Sequence, residues 1–157
     1  MDYKKKVKTT VDKFYVECIE EFKEAELKIA NDSRFRTIFR KKDYKGNIAL
    51  LKNCQKQARS LRFPTGDIPG DDELTRNLVQ QTQSSIQKFS RLCDSYVLLQ
   101  SALQQKADGG PMPYKEYMQI YKKTQEDRVE MNRALQDLDL VYTEFIEDED
   151  YDVYEFL

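Results

Sequence analysis

The sequence predicts an all-α fold: an antiparallel four-helix bundle with long helices and a disordered acidic C-terminal tail. Three observations predict it. Apolar side chains recur at three- and four-residue steps along every long segment. Nearly all of the five Gly and four Pro fall in two short stretches, so the segments between them run without a helix breaker. Charged residues make up 34% of the chain against 39% hydrophobic, the balance of amphipathic helices with one dry face and one wet one. With 157 residues the chain is sized for one domain, read as a bundle over 1–147 and a tail over 148–157.

The first helix is expected over about 2–31. Val7, Val11, Phe14, Cys18, Phe22, Ala25 and Ile29 follow one another by steps of 4, 3, 4, 4, 3 and 4, with Tyr15 and Ile19 widening the stripe. Asn31, Asp32 and Ser33 end it, and Arg34–Lys45 reads as a helical turn or an irregular connection broken at Gly46-Asn47. A second helix is expected over about 44–62, with Ile48, Leu51, Cys54, Ala58 and Leu61 inward. Phe63–Gly70 holds two Pro and two Gly in eight residues and is a loop. Asp71, Asp72 and Glu73 then supply capping and first-turn carboxylates to a third helix over about 71–107. Its seam is Leu78, Thr82, Ser85, Phe89, Leu92, Tyr96, Leu99 and Leu103.

Asp108–Pro113 is the second loop, with Pro113 suited to a first helical position. The last helix, about 113–147, carries Tyr117, Tyr121, Thr124, Arg128, Met131, Leu135, Leu138, Tyr142 and Phe145 inward. Thr124 and Arg128 are weak core residues, so the stripe is expected to rotate through Val129 there. Short connections favour antiparallel neighbours. The expected interior includes Val11, Cys18, Phe22, Leu51, Leu61, Phe89, Leu92, Leu99, Leu135 and Leu138. Because the second helix is shorter than the third and fourth, part of a seam is expected to stay uncovered, as a homodimer or partner surface.

The composition argues against catalysis. The chain has no His, which removes the commonest general base and metal ligand. Cys18, Cys54 and Cys93 are odd in number, widely spaced and on inward stripes, so they read as reduced core residues. Neither loop matches a phosphate-binding pattern. No catalytic residue, cofactor, metal or small-molecule substrate is expected. The longest charge-free run in a hydrophobic context, around Tyr96–Leu103, is far short of a membrane span, and the basic N-terminus lacks the apolar core of a secretory signal. The expected location is the cytoplasm, without excluding the nucleus.

Charge is unevenly distributed. Residues 1–62 hold 17 Lys/Arg against 9 Asp/Glu, and residues 144–157 hold seven acids and no base. Within 34–62 ten basic residues face only Asp43. Arg34, Arg36, Arg40, Lys41, Lys42, Lys45, Lys52, Lys56 and Arg59 are the candidate polyanion-binding residues, for RNA or anionic lipid. Lys45, Lys52, Lys56 and Arg59 form a stripe opposite the apolar face of the second helix.

The tail reads as a peptide ligand, with acids steering and Tyr151, Tyr154, Phe156 and Leu157 anchoring. Tyr154-Glu155-Phe156-Leu157, after its run of acids, resembles the short motifs read by the ubiquitin-like modifiers of autophagy. It equally resembles the tyrosine-based sorting signals read by clathrin adaptors. Tyr151, after four acids, reads as a phosphorylation site. The tail is also expected to mask part of the basic stripe weakly and reversibly. The leading expectation is a non-enzymatic adaptor or scaffold that binds other proteins, itself included, through a helical seam and the tail. The alternative is a polyanion-binding module using residues 34–62.

Overall fold

The computed structural model describes residues 2–34 and 42–155, with side chains for 2–31 and 42–148. Four helical runs follow one another, and no strand occurs among the described residues. Helix α1 (Tyr3–Lys13) passes through a π-helical turn (Phe14–Ile19) into α2 (Glu20–Arg34), making one continuous run. Helices α3 (Tyr44–Ser60), α4 (Glu73–Ala107) and α5 (Tyr114–Glu155) complete the bundle, and a 3-10 turn at Thr65–Asp67 sits in the proline-rich loop. The π turn is an i→i+5 widening, and within it Phe14, Cys18 and Ile19 are all buried.

Three of the runs begin on an aspartate. Asp2 accepts from the Lys4 N–H, Asp43 from Gly46 and Asp72 from Thr75, each satisfying a backbone donor of the first turn. Gly46-Asn47 is therefore not the break expected from its composition: both residues lie in the first turn of α3, and Asn47 is buried. A Cβ at Gly46 would fall 2.1 Å from Asp43 Oδ2. Gly→Ala in an ordinary helix interior stabilises by about 1 kcal/mol. Gly46→Ala is expected to gain nothing, or to lose up to about 1 kcal/mol by displacing the cap, as read from thermal melts. At the other end of α4 the chain turns through Gly109 at φ +81°, a left-handed backbone that favours glycine.

Helix order follows from pairs of residues that meet. Tyr142, Asp139 and Arg128 of α5 meet Asp12, Tyr15 and Glu26 respectively. The steps of 3 and 11 residues along one run are matched by the same steps in reverse along the other, so α5 is antiparallel to the α1–α2 run. Lys28 with Asn47 and Thr10 with the Arg62 carbonyl set α3 antiparallel to that run. Gln55 with Ser90 and Asn47 with Gln100 set α4 antiparallel to α3. Tyr3 with Asp72 and Glu26 with Tyr96 rise together, so α4 runs parallel to the first run across the core. The result is an up-down bundle whose most extensive interface is α4 against α5.

Val11, Cys18, Phe22, Leu51, Phe89, Leu92, Leu99 and Leu138 are buried. Leu61 and Leu135, expected inside, are only partly so. Leu61 is the extended residue capping α3, and Leu135 flanks the buried Met131–Leu138 stripe. The expected rotation of the α5 stripe does not occur: Thr124 is buried while Val129 is 56% exposed. Thr124 is tolerated because its hydroxyl donates to the Ile120 carbonyl of its own helix at 2.9 Å, as Thr82 does to Leu78 and Ser85 to Gln81. These small hydroxyl residues, with Ala134, allow α4 and α5 to approach closely. Arg128 is neutralised at the flank by Glu26 and also donates to the Tyr96 hydroxyl at 3.1 Å. No buried side-chain polar atom among the described residues lacks a partner.

Candidate interaction surfaces

The basic stripe exists, and α3 carries it. Lys45, Lys52, Lys56 and Arg59 are all exposed, and Lys42 is exposed just before the helix. The apolar side of α3 (Leu51, Cys54, Ala58) is locked in the core, which forces the opposite side outward. Arg59 differs from its neighbours because α4 holds it: its Nε donates to Ser90 Oγ at 2.7 Å, and its guanidinium lies 3.9 Å from Asp94. No described residue pairs with Lys45, Lys52 or Lys56. The side chain of Arg34 and all of Arg36, Arg40 and Lys41 lie outside the described residues.

A second surface lies at the N-terminal end of α5. Tyr114 is 76% exposed and Tyr121 41% exposed, with Tyr117 and Met118 half-buried between them. Tyr117 and Tyr121 stack at 6.5 Å between ring centroids. The steps of three, one and three residues place these four side chains on one helix face. The antiparallel register aligns Tyr121 with the last residues of α2, so the first turns of α5 reach beyond that helix. Sequence periodicity assigned Tyr117 and Tyr121 to the inward seam, and helix offset is what exposes them.

The peptide-ligand residues Tyr151 and Tyr154 sit on the backbone of α5, which continues to Glu155, but their side chains lie outside the described residues, as do Phe156 and Leu157 entirely. The course of α5 bears on masking of the α3 stripe. Tyr142 is bonded to Asp12, which also pairs with Lys8, so the antiparallel register carries exposed Glu147 and Asp148 toward Lys4 and Lys8 of α1. Helix α3 lies diagonally across the bundle from them.

The three cysteines, far apart in sequence, reach one level of the core. The α1–α3 register sets Cys18 beside Cys54, and the α3–α4 register sets Cys54 against Cys93. All are free and buried. Burial, reinforced by Cys54, pushes the Cys18 thiol up to about 12. Burial and then Glu21 push Cys54 up to about 11, and burial above all raises Cys93. No group of three or more Cys, Asp or Glu among the described residues is placed to hold a metal ion. The native thiols are expected to react with a disulfide reagent at pH 8 about a hundredfold or more slower than in denaturant, since the thiolate is the reactive form. Rapid native labelling of any one would contradict its placement.

No described helix is long and apolar enough to cross a membrane. Compared with family models, with curated proteins and with solved structures, the chain has no match in any of the three.

Proposed function

We propose that this chain is a non-enzymatic interaction subunit: a helical bundle that presents side chains to other proteins. The observation that carries this reading is the tyrosine face of α5. Four large side chains, Tyr114, Tyr117, Met118 and Tyr121, share one face of a helix that extends past its neighbour. Tyrosine and methionine are enriched at protein interfaces, where a ring supplies contact area at low entropic cost and its hydroxyl finds a partner at the rim. A helix face laid into an apolar groove uses anchors at this spacing. The acidic tail is the second element of the reading, as a peptide ligand whose charges steer and whose aromatic residues anchor.

The test is quantitative affinity purification from cells of three chains: the full sequence, Tyr114→Ala/Tyr121→Ala, and a chain ending at Asp148. Proteins enriched reproducibly by the full chain are expected to be lost from the double variant, with its circular dichroism unchanged. Partners lost only on truncation belong to the tail. If neither change removes any enriched protein, the proposed surfaces are wrong.

A further inference from the structure

We propose that the outward face of α3, with the adjoining flank of α4, binds the phosphate backbone of a nucleic-acid duplex through Lys45, Lys52 and Lys56. This surface is distinct from the tyrosine face and stands or falls separately from it. Two acidic side chains beside the stripe are already engaged. Asp43 accepts from Lys28 at 3.0 Å and caps Gly46; the Lys28 bond and the Gly46 N–H hold its carboxyl below the usual carboxylate range. Asp94 accepts from Gln55 at 2.7 Å and faces Arg59. Lys45, Lys52 and Lys56 are left without a partner among the described residues, and exposed Arg91 stands beside them on the α4 flank.

The flank beside them also carries neutral polar side chains. Gln83, Gln87 and Ser101 fall on the same stripe of α4 as Ser90 and Asp94, the residues that meet α3, and all three are exposed. Such side chains donate to phosphate oxygens without adding repulsion. Glu21 lies against the opposite flank of α3, where Gln57, with its amide oriented to donate, reaches the Glu21 carboxylate at 2.9 Å and the Glu17 carbonyl at 3.1 Å. Charge is thus sorted to the two sides of one helix.

The stripe's geometry selects among polyanions. Lys45 to Lys56 spans about 16 Å at about 1.5 Å per residue, and about five base pairs of duplex at 3.4 Å each. Between the lysines lie Ala49 and Asn53, both exposed, and among the described residues no aromatic ring stands between them on which an unpaired base could stack. The one large apolar side chain exposed on α3 among the described residues, Leu50, stands toward the Gln57 flank of the stripe, where interfacial helices require a whole apolar face. A rigid row of cations with neutral donors suits a duplex, whose bases are turned inward and whose phosphates alone are offered.

The experiment measures binding of the full chain to labelled 20-base-pair DNA and RNA duplexes, to single-stranded RNA, and to phosphatidylserine vesicles, between 50 and 200 mM salt. Three phosphate contacts predict a log–log salt slope of about −2.7, or about a fortyfold loss of duplex affinity over that range. Each of Lys45→Ala, Lys52→Ala and Lys56→Ala is expected to reduce the slope by about one, and the triple variant to abolish binding. A charge-matched control on α5, Lys115→Ala/Lys122→Ala/Arg133→Ala, is expected to bind as the parent does. The proposal is overturned by no duplex binding at 50 mM salt, by equal losses in the two triple variants, or by tighter binding to single strands or vesicles. It is likewise overturned if the lysine variant abolishes self-association and leaves duplex binding unchanged.

Discussion

Raising the pH through the range 10 to 12 is expected to unfold this bundle in one steep step, after a flat plateau between pH 6 and 8. The cause is a set of four phenols, each donating to a carboxylate on another helical run. Tyr3 of α1 donates to Asp72, the cap of α4, at 2.5 Å, and Tyr15 of the π turn to Asp139 of α5 at 2.5 Å. Tyr96 of α4 donates to Glu26 of α2 at 2.8 Å, and Tyr142 of α5 to Asp12 of α1. Two of these bonds join α5 to the first run, where contact is made by long side chains rather than close backbones. The hydrogen bond to Asp72 pushes Tyr3 up to about 12; burial and then Asp12 push Tyr142 up to about 12. Burial first, with the acidic partner behind it, raises Tyr15 and Tyr96.

The sign follows from linkage. A group whose folded value lies above its unfolded value of about 10 contributes stability that is complete below about pH 10 and is lost as pH rises through the folded value. Each phenolate formed in the native state would face a carboxylate with no proton between them. The buried thiols of Cys18 and Cys54, raised in the same direction, add to the loss. The tyrosinate absorbance of these four phenols, taken as the difference from their Phe variants, and the loss of helical circular dichroism are expected to rise together. Tyr142→Phe and Tyr96→Phe are each expected to cost about 1–2 kcal/mol at neutral pH, since a bond to a charged acceptor is lost. Titration of Tyr3, Tyr15, Tyr96 or Tyr142 near pH 10 with the helices intact, assigned by difference from the corresponding Phe variants, would contradict its bond. The acid limb has the opposite sign. Burial raises Asp72, but the Tyr3 and Thr75 bonds outweigh it and lower its value, so its contribution is present above about pH 4 and lost as pH falls.

These bonds also mark where the sequence stops being informative. Three- and four-residue steps identify the inward stripe of each helix, because burial repeats with the turn. They located α3, α4, the loop between them and most of the core. The same steps say nothing of how far one helix is slid along another. Tyr15 and Asp139 are 124 residues apart, and their meeting depends on an offset that no local pattern encodes. The gathering of Cys18, Cys54 and Cys93, the partnering of Arg128 by Glu26, and the exposure of Tyr121 have the same origin. The rotation to Val129 fails for a different reason: hydropathy ranks Thr124 below Val129, yet a hydroxyl that bonds its own helix loses little on burial. Gly46 was misjudged because composition marks glycine as a breaker, whereas here its missing Cβ admits the Asp43 cap. The α3 stripe was legible because a charged face needs only one helix to define it.

Phe89→Ala is expected to be the most damaging single substitution in the chain, costing about 3–5 kcal/mol. Phe89 is fully buried at the middle of α4 and receives two rings from the first run, with centroids 5.8 Å from Phe14 and 5.2 Å from Phe22, both edge-on. Phe22 in turn meets Tyr96 at 5.7 Å. The truncation removes the ring that Phe14 and Phe22 meet across the core, and close-packed neighbours relax only in part. For a domain whose total stability is about 5–15 kcal/mol, that is a third or more of the whole. At about 2–4 °C per kcal/mol for a chain of this size, the melting temperature is expected to fall by roughly 10–15 °C. Leu140→Ala, at a side chain 67% exposed on α5, is expected to stay within about 0.5 kcal/mol. The discriminating measurement is a double-mutant cycle between Phe22 and Phe89. Edge-to-face partners are expected to couple by about 0.5–1.5 kcal/mol. Phe22 and Leu140, which share no contact, should be additive. Additivity at Phe22 and Phe89 would mean that α4 does not lie diagonally across the core from α1 and α2, and the helix order would have to be redrawn.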